Sequence, residues 1–308
     1  MTNLEWLLNG DYAIKRLTKK YLFDEKLAYS NQGFIERYLN LYDATTKLWG
    51  NGHYGPKWIS TNYTLLELKY LEIDPNNLIY QESLINYLDY YFTKYINKSG
   101  ILSMDLCLSG MFINLLSYGK INDNRLNLIL DYVLDKTMPD GAWNCMWNHD
   151  SKPKISSVHT TINVLEGLQE YINHGYIYRI EEVKESVETA INTLLERNLI
   201  YKKGTQNLIH QSMAKHHYPP RWKYDYLRIL EFLAKKSYPY GPEIKPAMEI
   251  LLNSMKNGRL TKGTTIPGKI HFQLETEIYG RFNTLRAYIV LKRYSPIEYE
   301  NIINKAII

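Results

Sequence analysis

A chain of 308 residues with 45% hydrophobic and 22% charged content can bury a sizeable core, and repeat architectures of this length form single domains. Lys+Arg 37 against Asp+Glu 32 leaves a formal charge of +5, but the charges are interspersed rather than blocked, which excludes a nucleic-acid-binding stripe. No apolar run reaches membrane-spanning length, and Trp6-Leu7-Leu8 is too short for a secretory signal. Two cysteines, Cys107 and Cys145, then predict free thiols in a cytoplasmic protein.

Residues 11–22 predict a short amphipathic helix with Asp11 as its N-cap. Residues 31–49 predict a longer helix, with Phe34, Tyr38, Leu41, Tyr42 and Leu48 on one face. The turn Asn51-Gly52-His53-Tyr54 leads to a helix over 61–71, and beyond Pro75 to one over 79–97. The pattern then recurs. Ser99-Gly100 precedes helices over 103–118 and 124–136, and Asp140-Gly141 precedes 156–171 and 180–197. Lys203-Gly204, after a long polar insert, precedes 222–235 and 242–256, and Asn257-Gly258 precedes 281–294. The turn glycines Gly52, Gly100, Gly141, Gly204 and Gly258 fall about 40–60 residues apart, the period range of helical repeats.

No stretch alternates with period two long enough for a strand, so the fold class is all-α. Helices after the glycine turns, such as Met111–Leu116 and Ile162–Leu168, are apolar and small, and predict burial on most sides. Those before the turns keep a full polar face. Two concentric rings satisfy both requirements. The expected architecture is an α/α toroid over residues 1–308, with 1–49 as an N-terminal helical cap.

The stretch from Asp140 to Tyr171 is the fullest unit. Ser156 or Ser157 caps its helix, Ile162, Leu165 and Leu168 form the apolar stripe, and His159 and Thr160 fall in the first turn. Asp140-Gly141-Ala142-Trp143 with its helix resembles the repeat of the terpenoid cyclase and protein prenyltransferase superfamily, although Lys136-Thr137-Met138 stands where the cyclase repeat carries a glutamine. C-L-S-G at 107–110, D-G-A-W-N-C at 140–145, S-S-V-H-T-T-I-N-V-L-E-G-L at 156–168, P-P-R-W-K-Y-D-Y-L-R at 219–228 and R-F-N-T-L-R at 281–286 are similar to an uncharacterised bacterial branch of that superfamily. Over about residues 100–295 the resemblance implies an α/α toroid and no particular activity. The chain carries neither the Asp-x-Asp-Asp cluster of protonation-initiated cyclisation nor an Asp-Asp-x-x-Asp helix for magnesium diphosphate, which argues against a terpene cyclase of the known classes.

Protein prenyltransferases hold zinc through an Asp-x-Cys pair and a later His, and Asp105, Cys107 and His159 match that order. The resemblance thus implies a zinc site there, displaced to mid-chain. The alternative has Asp105 capping a helix and Cys107 packing as a small apolar residue.

Further polar groups gather near the starts of the buried helices: Arg221, Asp225, His271, Glu275, Arg281 and Asn283, with His216, His217 and Arg286. Arginine suits bidentate binding of carboxylate or phosphate, so an anionic or amphipathic small molecule is the expected ligand. Internal pairing of Arg221 with Asp225, or of Arg281 with Glu277, is the alternative. His159 is the expected general base or metal ligand and Asp225 a second catalytic group. His159, Asp225, Arg221, Arg281 and Asn283 are expected around one cavity mouth. Trp143, Trp147 and Trp222 could wall that cavity, or Trp143 could wedge between repeats. His149 and His174 read as surface residues. Two function classes remain open: an enzyme acting on a polar or amphipathic small molecule, and a non-catalytic binding or scaffold protein.

Overall fold

The computed structural model describes residues 1–97, 100, 102–148 and 153–306, without the side chains of 147 and 148; Ser99, His149 and Asp150 lie outside the described residues. In chain order the α-helices are α1 (Asn3–Leu8), α2 (Tyr12–Phe23), α3 (Phe34–Leu39), α4 (Thr61–Tyr70), α5 (Leu78–Tyr95), α6 (Leu106–Tyr118) and α7 (Asn124–Asp135). They continue with α8 (Val158–Asn173), α9 (Ile180–Leu195), α10 (Tyr226–Lys235), α11 (Lys245–Ser254), α12 (Arg281–Tyr294) and α13 (Pro296–Ile303). Short 3-10 turns occupy Cys145–Asn148 and Gln211–Ala214. Among the described residues, extended pairing is limited to isolated bridges such as Asp43 with Leu48. The fold class is all-α. None of these helices is long and apolar enough to cross a membrane.

Local chemistry sets the helix starts. Asp11 accepts from Ala13 N–H at 2.9 Å, and Ser157 rather than Ser156 caps α8 through Thr160 N–H. Thr2 and Glu5 cap α1 reciprocally, a helix absent from the pattern reading because it spans under two turns. The helix expected over 31–49 ends at Leu39. Beyond it the Asp43 carboxylate accepts from Thr45 and Thr46 N–H at 2.9 and 3.3 Å, and Lys47 turns left-handed at φ 58. That local turn competes with helix continuation. The helix expected from Trp222 begins instead at Tyr226, because Asp225 is its N-cap and accepts from Arg228 N–H at 2.9 Å.

The chain divides into two compact units. One comprises Met1–Asn40, Tyr70–Asp74 and Leu195–Ile308; the other comprises Leu41–Lys69 and Pro75–Leu194. In the first, α12 is buried from Phe282 to Leu291 and packs against α10, α2 and α13. The N-terminal segment is therefore built into the same unit as the C-terminal helices, with a Thr2–Ala306 bridge joining the two ends. In the second, α6 and α8 pack backbone to backbone. A Cβ on Gly110 would stand 2.6 Å from the carbonyl of Asn163, and one on Gly167 would stand 2.3 Å from the Gly110 oxygen. Only glycine permits that approach.

A recurring tie links turn and helix. Trp49 N–H donates to Thr61 Oγ1 at 3.1 Å, Trp143 N–H to Thr161 Oγ1 at 3.4 Å, and Leu260 N–H to Thr284 Oγ1 at 3.1 Å. In each case a residue two or three places from a turn glycine or asparagine is anchored to a buried threonine in the first turn of α4, α8 or α12. Gly100, Gly141, Gly204 and Gly258 adopt left-handed φ between 72 and 81°. Gly52 does not; Gly50 and Asn51 make that turn at φ 58 and 59°.

Candidate functional site

The loop before α12 lies beside α2 and α3, and together they line a half-open cavity of about 260 Å³ within the first unit. Its wall includes Asp11, Phe34, Arg37, Glu275, Arg281 and Phe282. Gly280, the residue ahead of α12, has no side chain to cap the helix, and Glu275 reaches forward to accept from Phe282 N–H at 2.7 Å. Burial pushes the Glu275 carboxyl up to about 7, against the opposing pull of hydrogen bonds from the backbones of Phe282 and Arg281 and the charge of Arg281. A carboxyl of that kind takes up and gives off a proton at neutral pH.

The cationic side of the cavity comes from two arginines. Arg37 stacks over the Phe272 ring, 3.8 Å from guanidinium carbon to ring centre, and has no ion-pair partner among the described residues. Arg281 lies over the Trp6 ring at 4.6 Å, donates to the Trp6 carbonyl at 3.2 Å and pairs with Glu277 at 3.1 Å. The internal pairing open for Arg281 is therefore present. Asp11 spans two helix starts, since its carboxylate also accepts from Phe34 N–H at 3.1 Å. A Cβ on Gly33 would collide with that carboxylate at 2.4 Å, and Gly33 is left-handed at φ 73.

The remaining polar candidates of this unit are engaged in its interior. Asp225 is fully buried and accepts from Arg228 N–H while facing His217 Nδ1 at 3.0 Å. Asn283 donates to the carbonyls of Thr261 and Lys262, and its Oδ1 accepts from Arg286. Arg286 continues to the His217 carbonyl and to Glu231. His216 meets the Tyr226 hydroxyl at 3.0 Å and Thr261 Oγ1 at 3.0 Å, and burial lowers its pKa. Arg221 is buried in the loop ahead of α10 at φ 57, close enough to Tyr38 to act on its phenol. Trp222 is half-buried beside it, with Lys223 Nζ 6.0 Å above its ring. His271 meets Tyr38 edge-on at 5.8 Å.

His159, Trp143, Asp105 and Cys107 belong to the second unit. Trp143 is fully buried, and its indole N–H donates to the Val133 carbonyl at 2.9 Å. Asp105 is the N-cap residue of α6, without a side-chain capping bond. His159 is half-buried in the first turn of α8, its carbonyl accepting from Asn163 Nδ2 at 2.7 Å. Among the described residues no three His, Cys, Asp or Glu side chains gather to hold a metal ion. Cys107 instead stands against Cys145, whose Sγ accepts from the Cys107 N–H at 3.3 Å, and the proximity of the two sulfurs raises the pKa of Cys107 and lowers that of Cys145.

Of the candidates read from sequence, Glu275 and Arg281 share the cavity, whereas Asp225 and Asn283 join through His217 and Arg286. Asp11, Phe34 and Arg37 were not among the expected ligand groups. Asp11 was legible as a cap, but its place in a cavity wall depends on a contact made across the fold.

Comparison with protein-family models, with curated proteins and with solved structures finds no match for the chain.

Proposed function

We propose that this chain is an α/α-toroid protein of the terpenoid cyclase and prenyltransferase kind that binds a small anionic molecule beside Glu275 and exchanges a proton with it there. The toroid is supported by the recurrent threonine ties at α4, α8 and α12, and by helices such as α6 and α12 that are buried on nearly every side. The observation that carries the functional reading is a cavity carboxyl pushed up to about 7 with two guanidinium groups in the same wall. Arginine would hold the carboxylate or phosphate of the ligand bidentately, and Glu275, neutral or ionised at need, would donate or accept the proton. At about 260 Å³ the cavity lies below the ~300–1,000 Å³ range of larger ligand sites, which favours a small acid over an isoprenoid chain.

A second reading is favoured by the same glutamate. Because Glu275 caps α12 through Phe282 and Arg281 already has Glu277, the pocket can be a binding site without turnover. Calorimetric titration with malonate, inorganic phosphate and pyrophosphate at pH 6, 7 and 8 tests the shared premise. Anion binding should be accompanied by proton uptake above pH 7 and weaken as pH rises, by up to about tenfold per unit. Arg37→Ala should weaken it about tenfold or more, and Glu275→Gln should remove the pH dependence. Absence of binding by all three anions, or binding indifferent to both substitutions, would exclude the site. Turnover of a bound acid then separates the enzyme from the binding protein.

A further inference from the structure

We propose that Cys107 and Cys145 form a reversible dithiol–disulfide couple that reduces small hydroperoxides, with Cys145 as the attacking sulfur and Cys107 as the resolving one. The site lies in the second unit and does not depend on the cavity beside Glu275.

Its geometry divides the roles. Cys145 Sγ accepts from Cys107 N–H at 3.3 Å and from the Thr160 hydroxyl at 3.3 Å. Two donors therefore converge on one sulfur. Thr160 Oγ1 itself accepts from Cys145 N–H at 3.3 Å, which leaves its single proton directed at Cys145 Sγ. Cys107 and Thr160 occupy the first turns of α6 and α8, helices of 13 and 16 residues, so both helix dipoles favour negative charge at the same point. The adjacent Cys145 sulfur and burial raise the pKa of Cys107, which leaves it as the resolving partner. Asp105 and Tyr54 are the other ionisable groups that act on the pair. Both cysteines are half-buried, accessible to a small oxidant.

The chemistry balances with a hydroperoxide as oxidant. The Cys145 thiolate attacks one peroxide oxygen, an S–O bond forms, the O–O bond breaks, and the leaving oxygen departs as water or alcohol after taking a proton. The Cys107 sulfur then attacks the Cys145 sulfenic sulfur. The S–S bond forms, the S–O bond breaks, and the oxygen leaves as water with the proton from Cys107. Two thiols lose two electrons and the peroxide gains them. An external thiol restores the dithiol by exchange.

The test uses the full chain, reduced, treated with hydrogen peroxide, quenched by alkylation and mapped by mass spectrometry. The expected result is a Cys107–Cys145 linked peptide within one chain, reversed by dithiothreitol, formed faster than free cysteine reacts. Cys107→Ser should leave Cys145 as a sulfenic acid trapped by dimedone, and Cys145→Ser should leave Cys107 reduced. Thr160→Val should slow the first step about tenfold while Thr160→Ser preserves it. Two thiols still free after excess peroxide, a wild-type rate no faster than free cysteine, or Cys107 oxidised equally fast in Cys145→Ser would overturn the proposal. The mapping and the rate on the wild-type chain decide it even if a variant fails to fold.

Discussion

Glu275 holds the backbone N–H of Phe282 at 2.7 Å while standing in the wall of a cavity shared with Arg37 and Arg281. One carboxyl thus serves as the cap of α12 and as the group of the cavity that titrates near neutrality.

The Glu275 pKa is raised from 4.5 to about 7, so the folded protein holds this proton more tightly than the unfolded chain. Its contribution is most favourable below about pH 4.5 and is lost as pH rises through 7. Glu275→Gln keeps an oxygen for Phe282 N–H without the charge. The variant should therefore be at least as stable as the parent at pH 8, with its advantage shrinking towards pH 5. Urea denaturation across that pH series checks this, and a variant less stable at pH 8 than at pH 5 relative to the parent contradicts it.

Glu231 behaves oppositely. Burial would raise its carboxyl, but the charges of Lys235 and Arg286 outweigh burial and hold it down to about 2. Lys235 lies 2.7 Å away and Arg286 2.5 Å away. This contribution is present above about pH 4.5 and fades as pH falls towards 2. Glu231→Gln leaves the buried Arg286 guanidinium without its anion and should cost about 3 kcal/mol at pH 7. The loss should narrow on acidification, as followed by chemical denaturation.

The α6–α8 contact predicts a large effect from one methyl group. Gly167→Ala would place a Cβ 2.3 Å from the Gly110 backbone oxygen, and no side-chain rotation relieves a clash with backbone. Alanine gains about 1 kcal/mol of helix propensity over glycine. Overpacking of a backbone-to-backbone contact should exceed that and leave a net loss of about 2 kcal/mol. Thermal unfolding of the variant measures the balance; a stabilised protein would show that the two helices separate freely.

The threonine ties give a fourth, smaller test. Thr284→Val removes the hydroxyl that accepts from Leu260 N–H and leaves that buried donor unsatisfied, at a cost of about 1–2 kcal/mol. Thr161→Val should cost a similar amount through Trp143 N–H, whereas a serine at either position should restore most of it. Denaturation midpoints of the four variants decide whether the ties act alike.

The sequence by itself determined where most helices lie and which are buried. Helical spacing of Ile162, Leu165 and Leu168, capping by Asp11 and by Ser156 or Ser157, and turn glycines at 100, 141, 204 and 258 are local properties carried by adjacent residues. Local competitors set the boundary at Asp43 and Asp225, whose carboxylates accept from nearby N–H groups and stop the helix or delay its start. The cavity was not legible in this way. Asp11, Arg37, Glu275 and Arg281 are up to 270 residues apart, and nothing in the local pattern of any one names the others. The same holds for Cys107 and Cys145, whose meeting depends on the close approach of α6 and α8 that Gly110 and Gly167 permit. Ionisation states were decided last of all, because they depend on burial and on charges brought from distant segments. Glu275 and Glu231 are the same residue type, and only their surroundings in the folded chain hold one near 7 and the other near 2.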